Sequence, residues 1–209
     1  MEFIEFKEKL ENLIGKRVPG LEAQQLMSPF KLRNRQDLLG MNKTPRLGGV
    51  MILVFNKNEK AHFVLIRRPE YDGVHSGQIA FPGGQKDDSD KDIEETALRE
   101  TFEEIGVSSE KLKILGPISQ VYIPPSKFLV TPIVAVLDEN PVFKKDYFEV
   151  SEVLEVPVSV LFNDDIIKSG PVYVGNNGAT MEVPYFDILG HKVWGATAIM
   201  LSEFKAIMK

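Results

Sequence analysis

The segment that most constrains the fold is residues 83–107, GGQKDDSDKDIEETALRETFEEIGV. Two glycines open a turn after an extended run, and apolar residues at helical spacing then predict a helix over residues 91–105. Ser89 or Asp90 is the expected N-cap, and Gly106 is expected to end the helix. A strand, a tight turn and a helix in close succession indicate a helix that packs on a sheet.

This helix has an acidic face and an apolar face. At about 100° per residue, three carboxylates fall within roughly 100° of one another, those of Glu100, Glu103 and Glu104. The expected anchoring face carries Leu98, Phe102 and Ile105. Arg99 precedes Glu103 by one turn, so it is positioned to pair with that carboxylate and to orient it.

Three carboxylates on adjacent turns repel one another unless a positive charge lies among them. Mg²⁺, or Mn²⁺ in its place, prefers such oxygen ligands and shares them with water and phosphate groups. A solvated acidic face is the simpler interpretation of such a run taken by itself. The preceding turn, Phe81 to Gly84, favours a metal site, because it can bring backbone groups to the same place.

The remaining elements follow from periodicity and turn residues. Helices are expected over residues 3–15 and 195–208, with an irregular stretch over 17–47. The expected strands and short elements are Gly49–Phe55, His62–Ile66, Ile114–Tyr122, Val130–Leu137, Ser151–Leu154, Val158–Leu161, and a hairpin of Val172–Val174 with Glu182–Phe186. Since helices and strands are interspersed, we expect one α/β domain over residues 1–209, with 1–45 as a helical and irregular lead-in.

Composition excludes several classes of protein. The 25 basic and 30 acidic residues give a net charge of −5, so there is no basic field to attract nucleic acid. The chain has no cysteine, which excludes disulfides, thiolate metal sites and a cysteine nucleophile. Charges interrupt the first residues, and no run approaches the length of a membrane span. We therefore expect a cytoplasmic protein with no membrane partner.

Residues 99–107, RETFEEIGV, resemble the closing half of the Nudix box, R-E-U-x-E-E-x-G-U, where U is aliphatic. Gly84 matches the opening glycine of that motif. The chain departs from it in three ways: the loop after Gly84 is one residue longer than usual, Asp90 stands at the upstream glutamate position, and Thr101 replaces an aliphatic residue. The resemblance implies an α/β fold, a Nudix-like α/β/α sandwich with a mixed β-sheet, and a hydrolase of nucleoside diphosphate derivatives.

The longer loop is similar to that of coenzyme A pyrophosphatases. Residues 75–84, HSGQIAFPGG, resemble that group's H-x-G-Q-I-x-F-P-G-G signature. Residues 125–132, PSKFLVTP, resemble its P-S-G-F-x-V-x-P loop, with Lys127 in place of glycine. Later blocks that are similar to this group are Glu149-Val150, Val156-Pro157 and Val193–Ala198. The resemblance implies cleavage of coenzyme A or acyl-CoA to 3′,5′-ADP and 4′-phosphopantetheine.

The resemblance also assigns roles to the carboxylates. A diphosphate repels nucleophiles, so bound Mg²⁺ or Mn²⁺ must neutralise its oxygens and lower the pKa of the attacking water. Glu100 and Glu104 are the first expected metal ligands, and Glu103 is the third, oriented by Arg99. The general base is Glu100 or Glu103, or else a carboxylate outside the box whose position the sequence leaves open.

Substrate contacts are expected just before the helix. Arg67 and Arg68 end a strand and can grip phosphate, although an exposed strand end is the alternative interpretation. Gly83 and Gly84 allow a close backbone approach, and a carbonyl there can add a metal ligand. His75 is expected to position its loop rather than to act in catalysis.

The exact substrate stays open at this point. Ile66, Pro69 and Gly73 differ from the residues that coenzyme A pyrophosphatases carry there, so ADP-ribose, NADH and dinucleoside polyphosphates are rival nucleotide substrates. A non-catalytic nucleotide sensor is the alternative from another class, but such a domain would be expected to have lost box carboxylates that remain here. The terminal helices could form a homodimer.

Overall fold

The computed structural model describes residues 1–16, 18–29, 45–71, 75–174 and 179–209. The helices are α1 (Phe3–Leu13), α2 (Leu21–Gln25), α3 (Ile93–Ile105), α4 (Val158–Leu161) and α5 (Gly195–Met208). The strands are β1 (Arg46–Lys57), β2 (Lys60–Arg67), β3 (Ile79–Ala80), β4 (Gly83–Gln85), β5 (Lys113–Pro117), β6 (Val121–Ile123), β7 (Phe128–Leu137), β8 (Glu152–Pro157), β9 (Ile167–Val174), β10 (Ala179–Ile188) and β11 (His191–Val193).

The main sheet is mixed, as the resemblance implies. Within the described residues it has eight strands, with β3, β2, β1, β7 and β5 in that order, while β4 pairs with β1, β6 with β7 and β8 with β2. The long β1–β7 pair is parallel, and the other pairs are antiparallel. The two strands expected at Gly49–Phe55 and His62–Ile66 form a β1–β2 hairpin; its turn residues, Asn58 and Glu59, have φ angles of 52° and 63°, as in a type I′ turn.

Helices cover both faces of this sheet. Successive side chains of a strand point to opposite faces, and β1 divides its residues in this way. Met51, Leu53 and Phe55 pack with residues of α3, whereas Ile52 and Val54 belong to the core shared with α1 and α5. The expected α/β/α sandwich is therefore confirmed, together with the two terminal helices.

The packing face predicted for α3 is wrong in one part. Phe102 is 57% exposed, whereas Ala97 and Thr101 are completely buried. The helix approaches the sheet closely at Gly49 of β1, where an added Cβ would lie 2.6 Å from the carbonyl oxygen of Ile93. Small residues form the contact because the distance leaves no room for a large side chain, so Phe102 points outward.

Two further expectations need correction. The stretch 17–47 is not wholly irregular, since α2 lies within it and β1 begins at Arg46; residues 17 and 30–44 lie outside the described part of the chain. The strand expected at Ile114–Tyr122 is divided into β5 and β6, both of which pair with β7. A shift in register at Gly116, whose φ is 123°, interrupts the ladder there.

The amino-terminal segment is attached to α5 by a buried carboxylate. Glu203 is fully buried and accepts hydrogen bonds from the backbone N–H of Gly20, at 3.0 Å, and from Nε2 of Gln24, at 2.8 Å. Such bonds satisfy a charge that would otherwise be costly to bury. This contact holds α2 against the last helix.

A smaller antiparallel sheet of β9, β10 and β11 lies before α5 in the chain. The predicted hairpin of Val172–Val174 with Glu182–Phe186 is confirmed with longer strands, while its turn, residues 175–178, lies outside the described residues. Among the described helices, none has the length and apolar character needed to cross a membrane.

Candidate active site

The helix α3 begins two residues later than the sequence predicts. Its N-cap is Asp92, whose side chain accepts a hydrogen bond from Glu95 N at 3.0 Å, so the assignment to Ser89 or Asp90 is wrong. Asp90 was unsuitable because its carboxylate is buried and bonded to Arg99. Gly106 ends the helix with a left-handed φ of 73°, as predicted.

Arg99 connects the helix to the loop in front of it. Its guanidinium contacts Asp90 through two hydrogen bonds of 2.9 and 3.0 Å and also donates to the carbonyl of Gln85. Nη1 contacts Glu100 at 2.9 Å and Glu103 at 2.8 Å. The guanidinium holds the pKa of the Asp90 carboxyl well below its usual range. Arg99 thus orients two of the predicted carboxylates, and it is itself fixed by Asp90.

Glu104 is the deepest of the acidic side chains. It is 3% exposed, and its Oε2 accepts a hydrogen bond of 2.8 Å from the backbone N–H of Gly83. Burial raises the pKa of Glu104 to about 8, while the Gly83 bond and the charge of Arg68 act in the opposite direction. The glycine turn and the helix therefore meet at this carboxylate.

Glu100 lies directly over Gly84. A Cβ added at Gly84 would be 2.5 Å from Cδ of Glu100 and 2.6 Å from each of its carboxylate oxygens. Burial also raises the pKa of Glu100, partly offset by Arg99. No side chain larger than hydrogen fits between the turn and this carboxylate, which gives the opening glycine of the motif its physical reason.

A further carboxylate reaches this place from outside the box. Oxygens of Glu100, Glu104 and Glu149 all lie within 4.8 Å of one another, and Glu149 is exposed. The turn that carries Glu149 is attached to α3, because Asp146 N donates to the carbonyl of Glu104 at 2.9 Å. Sequence reasoning did not place Glu149 at the site; the only signal was the Glu149-Val150 block noted among the later similarities.

Glu103 is arranged differently. Its side chain is 50% exposed and its carboxylate contacts Arg99, so it lies outside the group formed by Glu100, Glu104 and Glu149. The structure thus brings two of the three expected metal ligands together with Glu149. The roles assigned to Glu103, Glu100 and Arg99 stay predictions.

The two arginines at the end of β2 diverge. Arg68 faces the site, where Nη2 lies 3.4 Å from the carbonyl oxygen of Gly83 and its charge acts on Glu104. Arg67 instead pairs with Glu70 at 2.8 Å. Nδ1 of His75 lies 3.1 Å from Oε1 of Gln78, in keeping with the positioning role expected for it.

The acidic group suits a hard divalent cation. Among the described residues, no lysine, arginine or histidine nitrogen lies within ion-pair distance of Glu104 or Glu149, although their oxygens converge. Like charges that share a site are unfavourable unless a positive charge joins them. Carboxylate and carbonyl oxygens are the ligands that Mg²⁺ and Mn²⁺ prefer. Glu100, Glu104 and Glu149, with the nearby Gly83 and Gly84 backbone, would hold such an ion.

Comparison with known proteins identifies the same family as the sequence resemblance does. The NUDIX domain model matches residues 45–165, which is more than half of the chain. An uncharacterised Nudix hydrolase, NudL, from Photorhabdus laumondii is 33% identical over 144 residues, covering 69% of this chain and 75% of that protein. Nudix hydrolase 3 from Caenorhabditis elegans is 32% identical over 218 residues, covering 93% and 88%.

Solved structures share the fold at low sequence identity. A MutT/nudix family protein from Enterococcus faecalis aligns over 92% of this chain and 75% of its own, with a TM-score of 0.52 and 17% identity. The MutT protein from Methanosarcina mazei Go1 aligns over 79% and 96%, with a TM-score of 0.50 and 18% identity. The family model and the curated relatives show that the chain belongs to the Nudix hydrolases and is a pyrophosphohydrolase of that family.

Proposed function

We propose that this enzyme hydrolyses the diphosphate linkage of coenzyme A or acyl-CoA in the presence of Mg²⁺ or Mn²⁺. The observation that carries the hydrolytic part is the convergence of Glu100, Glu104 and Glu149 beside the Gly83-Gly84 turn. The choice of coenzyme A is supported by the resemblance of residues 75–84 to the coenzyme A pyrophosphatase signature, a stretch that ends in this same turn.

A divalent cation, when bound, would neutralise the diphosphate oxygens and lower the pKa of the attacking water. Glu104 and Glu100 would hold it, since both are oriented by the backbone or by Arg99. Arg68, half-buried beside the same site, would bind a phosphate oxygen of the substrate.

Water attacks one phosphorus atom, and the bond from that phosphorus to the bridging oxygen breaks. One water is consumed, and the products are 3′,5′-ADP and 4′-phosphopantetheine, or its acyl form. A base must remove the water proton, and Glu149 and Glu103 are the two carboxylates exposed enough to return it to solvent. Glu149 is the better candidate, because one of its two carboxylate oxygens lies with those of Glu100 and Glu104 and would contact the cation, which leaves the other oxygen to accept the proton.

The rival substrates differ outside the diphosphate. ADP-ribose, NADH and dinucleoside polyphosphates carry the same linkage, which the carboxylates and Arg68 would treat alike. Coenzyme A alone among them has a phosphate on the ribose 3′ oxygen. Substrate comparison therefore separates these candidates, while the acidic site by itself does not.

The test is incubation of the purified enzyme with coenzyme A and Mg²⁺, with products resolved by mass spectrometry. Glu104→Gln is the inactive control, and Glu110→Gln, an exposed acid elsewhere on the surface, is the matched active control. We expect 3′,5′-ADP and 4′-phosphopantetheine from the unmodified enzyme and from Glu110→Gln. Intact coenzyme A, together with cleavage of ADP-ribose, NADH or a dinucleoside polyphosphate, would overturn the substrate assignment and leave the hydrolase in place.

A further inference from the structure

A turn beside the acidic group holds two aromatic side chains in solvent. Tyr147 is 82% exposed and Phe148 is 91% exposed. The turn is rigidly built, because Oδ1 of Asp146 accepts hydrogen bonds from the N–H of Phe148 and of Glu149, at 2.7 and 3.2 Å. Aromatic rings that a braced turn keeps out of the core are typical of surfaces that contact a ligand.

Tyr147 is also part of an open depression of about 620 Å³. This depression, called here the Tyr147 depression, is lined by Phe143, Lys144, Lys145, Tyr147, Ser151, Glu152, Val153 and Glu155. Tyr147 and Ser151 are each two residues from Glu149, so the depression adjoins the turn that supplies this carboxylate. Its volume lies in the usual range for a small-molecule site.

The lysines supply the charge of the Tyr147 depression. Lys144 is exposed and forms no ion pair with any part of the chain that the structure describes. Nζ of Lys145 lies 5.0 Å from the centre of the Tyr147 ring and donates to the carbonyl of Ser151. An aromatic ring that lines the same depression as two lysines suits a flat base that carries a phosphate.

One acidic residue of the depression has a cation of its own, and the other lies near a histidine. Glu155 pairs with Lys57 at 2.7 Å, and Glu152 lies 3.9 Å from Nε2 of His191. Glu152 and Glu155 both lie on β8, whereas Lys144 and Lys145 lie on the segment that leads into the Glu149 turn. Lys144 is therefore a cation of the depression that no carboxylate of the described residues neutralises.

We propose that the Tyr147 depression binds the nucleoside half of the substrate. The purine base stacks on Tyr147, and Lys144 with Lys145 binds a phosphate on the ribose. The inference rests on the proposed function, since coenzyme A is the candidate substrate whose adenosine carries a ribose 3′-phosphate. Under this proposal, residues outside the Nudix box determine which nucleotide the enzyme prefers, while the carboxylates act on the diphosphate.

The test measures equilibrium binding of two non-hydrolysable probes, 3′,5′-ADP and 5′-AMP, by calorimetry. We expect the unmodified enzyme to bind 3′,5′-ADP about tenfold more tightly than 5′-AMP, as one added charge-assisted contact would give. Lys144→Ala should remove this preference and leave 5′-AMP binding unchanged. Tyr147→Ala should weaken the binding of both probes, because stacking does not depend on the phosphate.

Two matched controls lie on the smaller sheet. Tyr173 is 78% exposed on β9, and Lys168 on the same strand is 46% exposed in its side chain. Tyr173→Ala and Lys168→Ala should bind both probes as the unmodified enzyme does. Equal affinity of the unmodified enzyme for the two probes, or a preference that survives in Lys144→Ala, would overturn the proposal.

The outcome is separable from that of the proposed function, because binding of these probes involves no hydrolysis. If coenzyme A is not cleaved but the Lys144-dependent preference is present, the depression is a nucleotide subsite and the substrate assignment is wrong. If coenzyme A is cleaved and Lys144→Ala keeps the same ratio of kcat/KM for coenzyme A and dephospho-coenzyme A, the function stands and this inference is wrong.

Discussion

Replacement of Gly84 by alanine should separate activity from stability at the candidate site. The new Cβ would lie 2.5 Å from Cδ of Glu100, so the carboxylate must move away from the acidic group. The Glu100 carboxylate is the flexible end of a side chain and can move. Gly84 does not have a positive φ angle, so its backbone conformation is open to alanine. The fold can therefore accept the methyl group, but the carboxylate cannot keep its place.

The two effects have different expected sizes. Moving Glu100 to another rotamer costs about 1 kcal/mol. Alanine in place of glycine also lowers the entropy of the unfolded chain, which stabilises the folded state by a similar amount. The net change in unfolding free energy should stay within about 1 kcal/mol, or roughly 2–4 °C in Tm for a chain of this size. Displacement of a reacting or ligand group by about 1 Å can lower kcat about 100-fold.

Gly83→Ala is the matched comparison one residue earlier. Gly83 has a φ of 148°, and an added Cβ would lie 2.3 Å from the carbonyl oxygen of Gly49, which is backbone and cannot rotate away. Backbone strain and overpacking together should cost about 3 kcal/mol, or roughly 6–12 °C in Tm. The assays are thermal unfolding and initial rates of substrate cleavage at saturating Mg²⁺. If Gly84→Ala keeps full activity, or unfolds as early as Gly83→Ala, the argument from close approach is wrong.

Three further predictions concern charged side chains of the site. Asp90→Asn should lower the unfolding free energy at neutral pH by about 2–3 kcal/mol. This loss is smaller than that expected for breaking an isolated buried ion pair, because Arg99 still contacts Glu100 and Glu103. Since the folded-state pKa of Asp90 is lowered, the difference in unfolding free energy between the unmodified enzyme and Asp90→Asn should be present above pH ~4 and shrink as the pH falls below it. Chemical denaturation measures this difference, and a value independent of pH would contradict the ion pair. Glu149→Gln should lower kcat more than Glu103→Gln does, by about 100-fold if Glu149 is the base, and the reverse order in steady-state kinetics would return that role to Glu103. Arg68→Ala should raise KM about tenfold while Arg67→Ala leaves it within about twofold, and equal effects of the two changes would show that the divergence of these side chains has no consequence for binding.

The parts of the fold that the sequence predicts well are those with local causes. Phe3–Leu13 and Gly195–Met208 repeat apolar residues at helical spacing, and Asn58 in the turn after β1 is a residue type that adopts a positive φ angle readily. Gly106 ends α3 for a similarly local reason, since it adopts a left-handed φ. In each case the neighbours in the chain decide the conformation.

The errors arise where a distant residue decides the outcome. Asp90 does not cap the helix because Arg99 binds its carboxylate, and Phe102 is exposed because Gly49 lets α3 approach the sheet through small residues. Glu149 reaches the acidic group only through the bond between Asp146 and the end of α3. No periodicity or spacing along the chain reports such contacts, so they need the folded structure.

The central claim is that Glu100, Glu104 and Glu149 together form the divalent metal site. The most direct measurement is the binding of Mn²⁺ to the purified enzyme, followed by electron paramagnetic resonance, for the unmodified chain and for Glu104→Gln, Glu149→Gln and Glu110→Gln. We expect Glu104→Gln and Glu149→Gln each to weaken Mn²⁺ binding by roughly tenfold or more, and Glu110→Gln to bind as the unmodified chain does. Unchanged Mn²⁺ affinity in folded Glu104→Gln and Glu149→Gln would contradict the account.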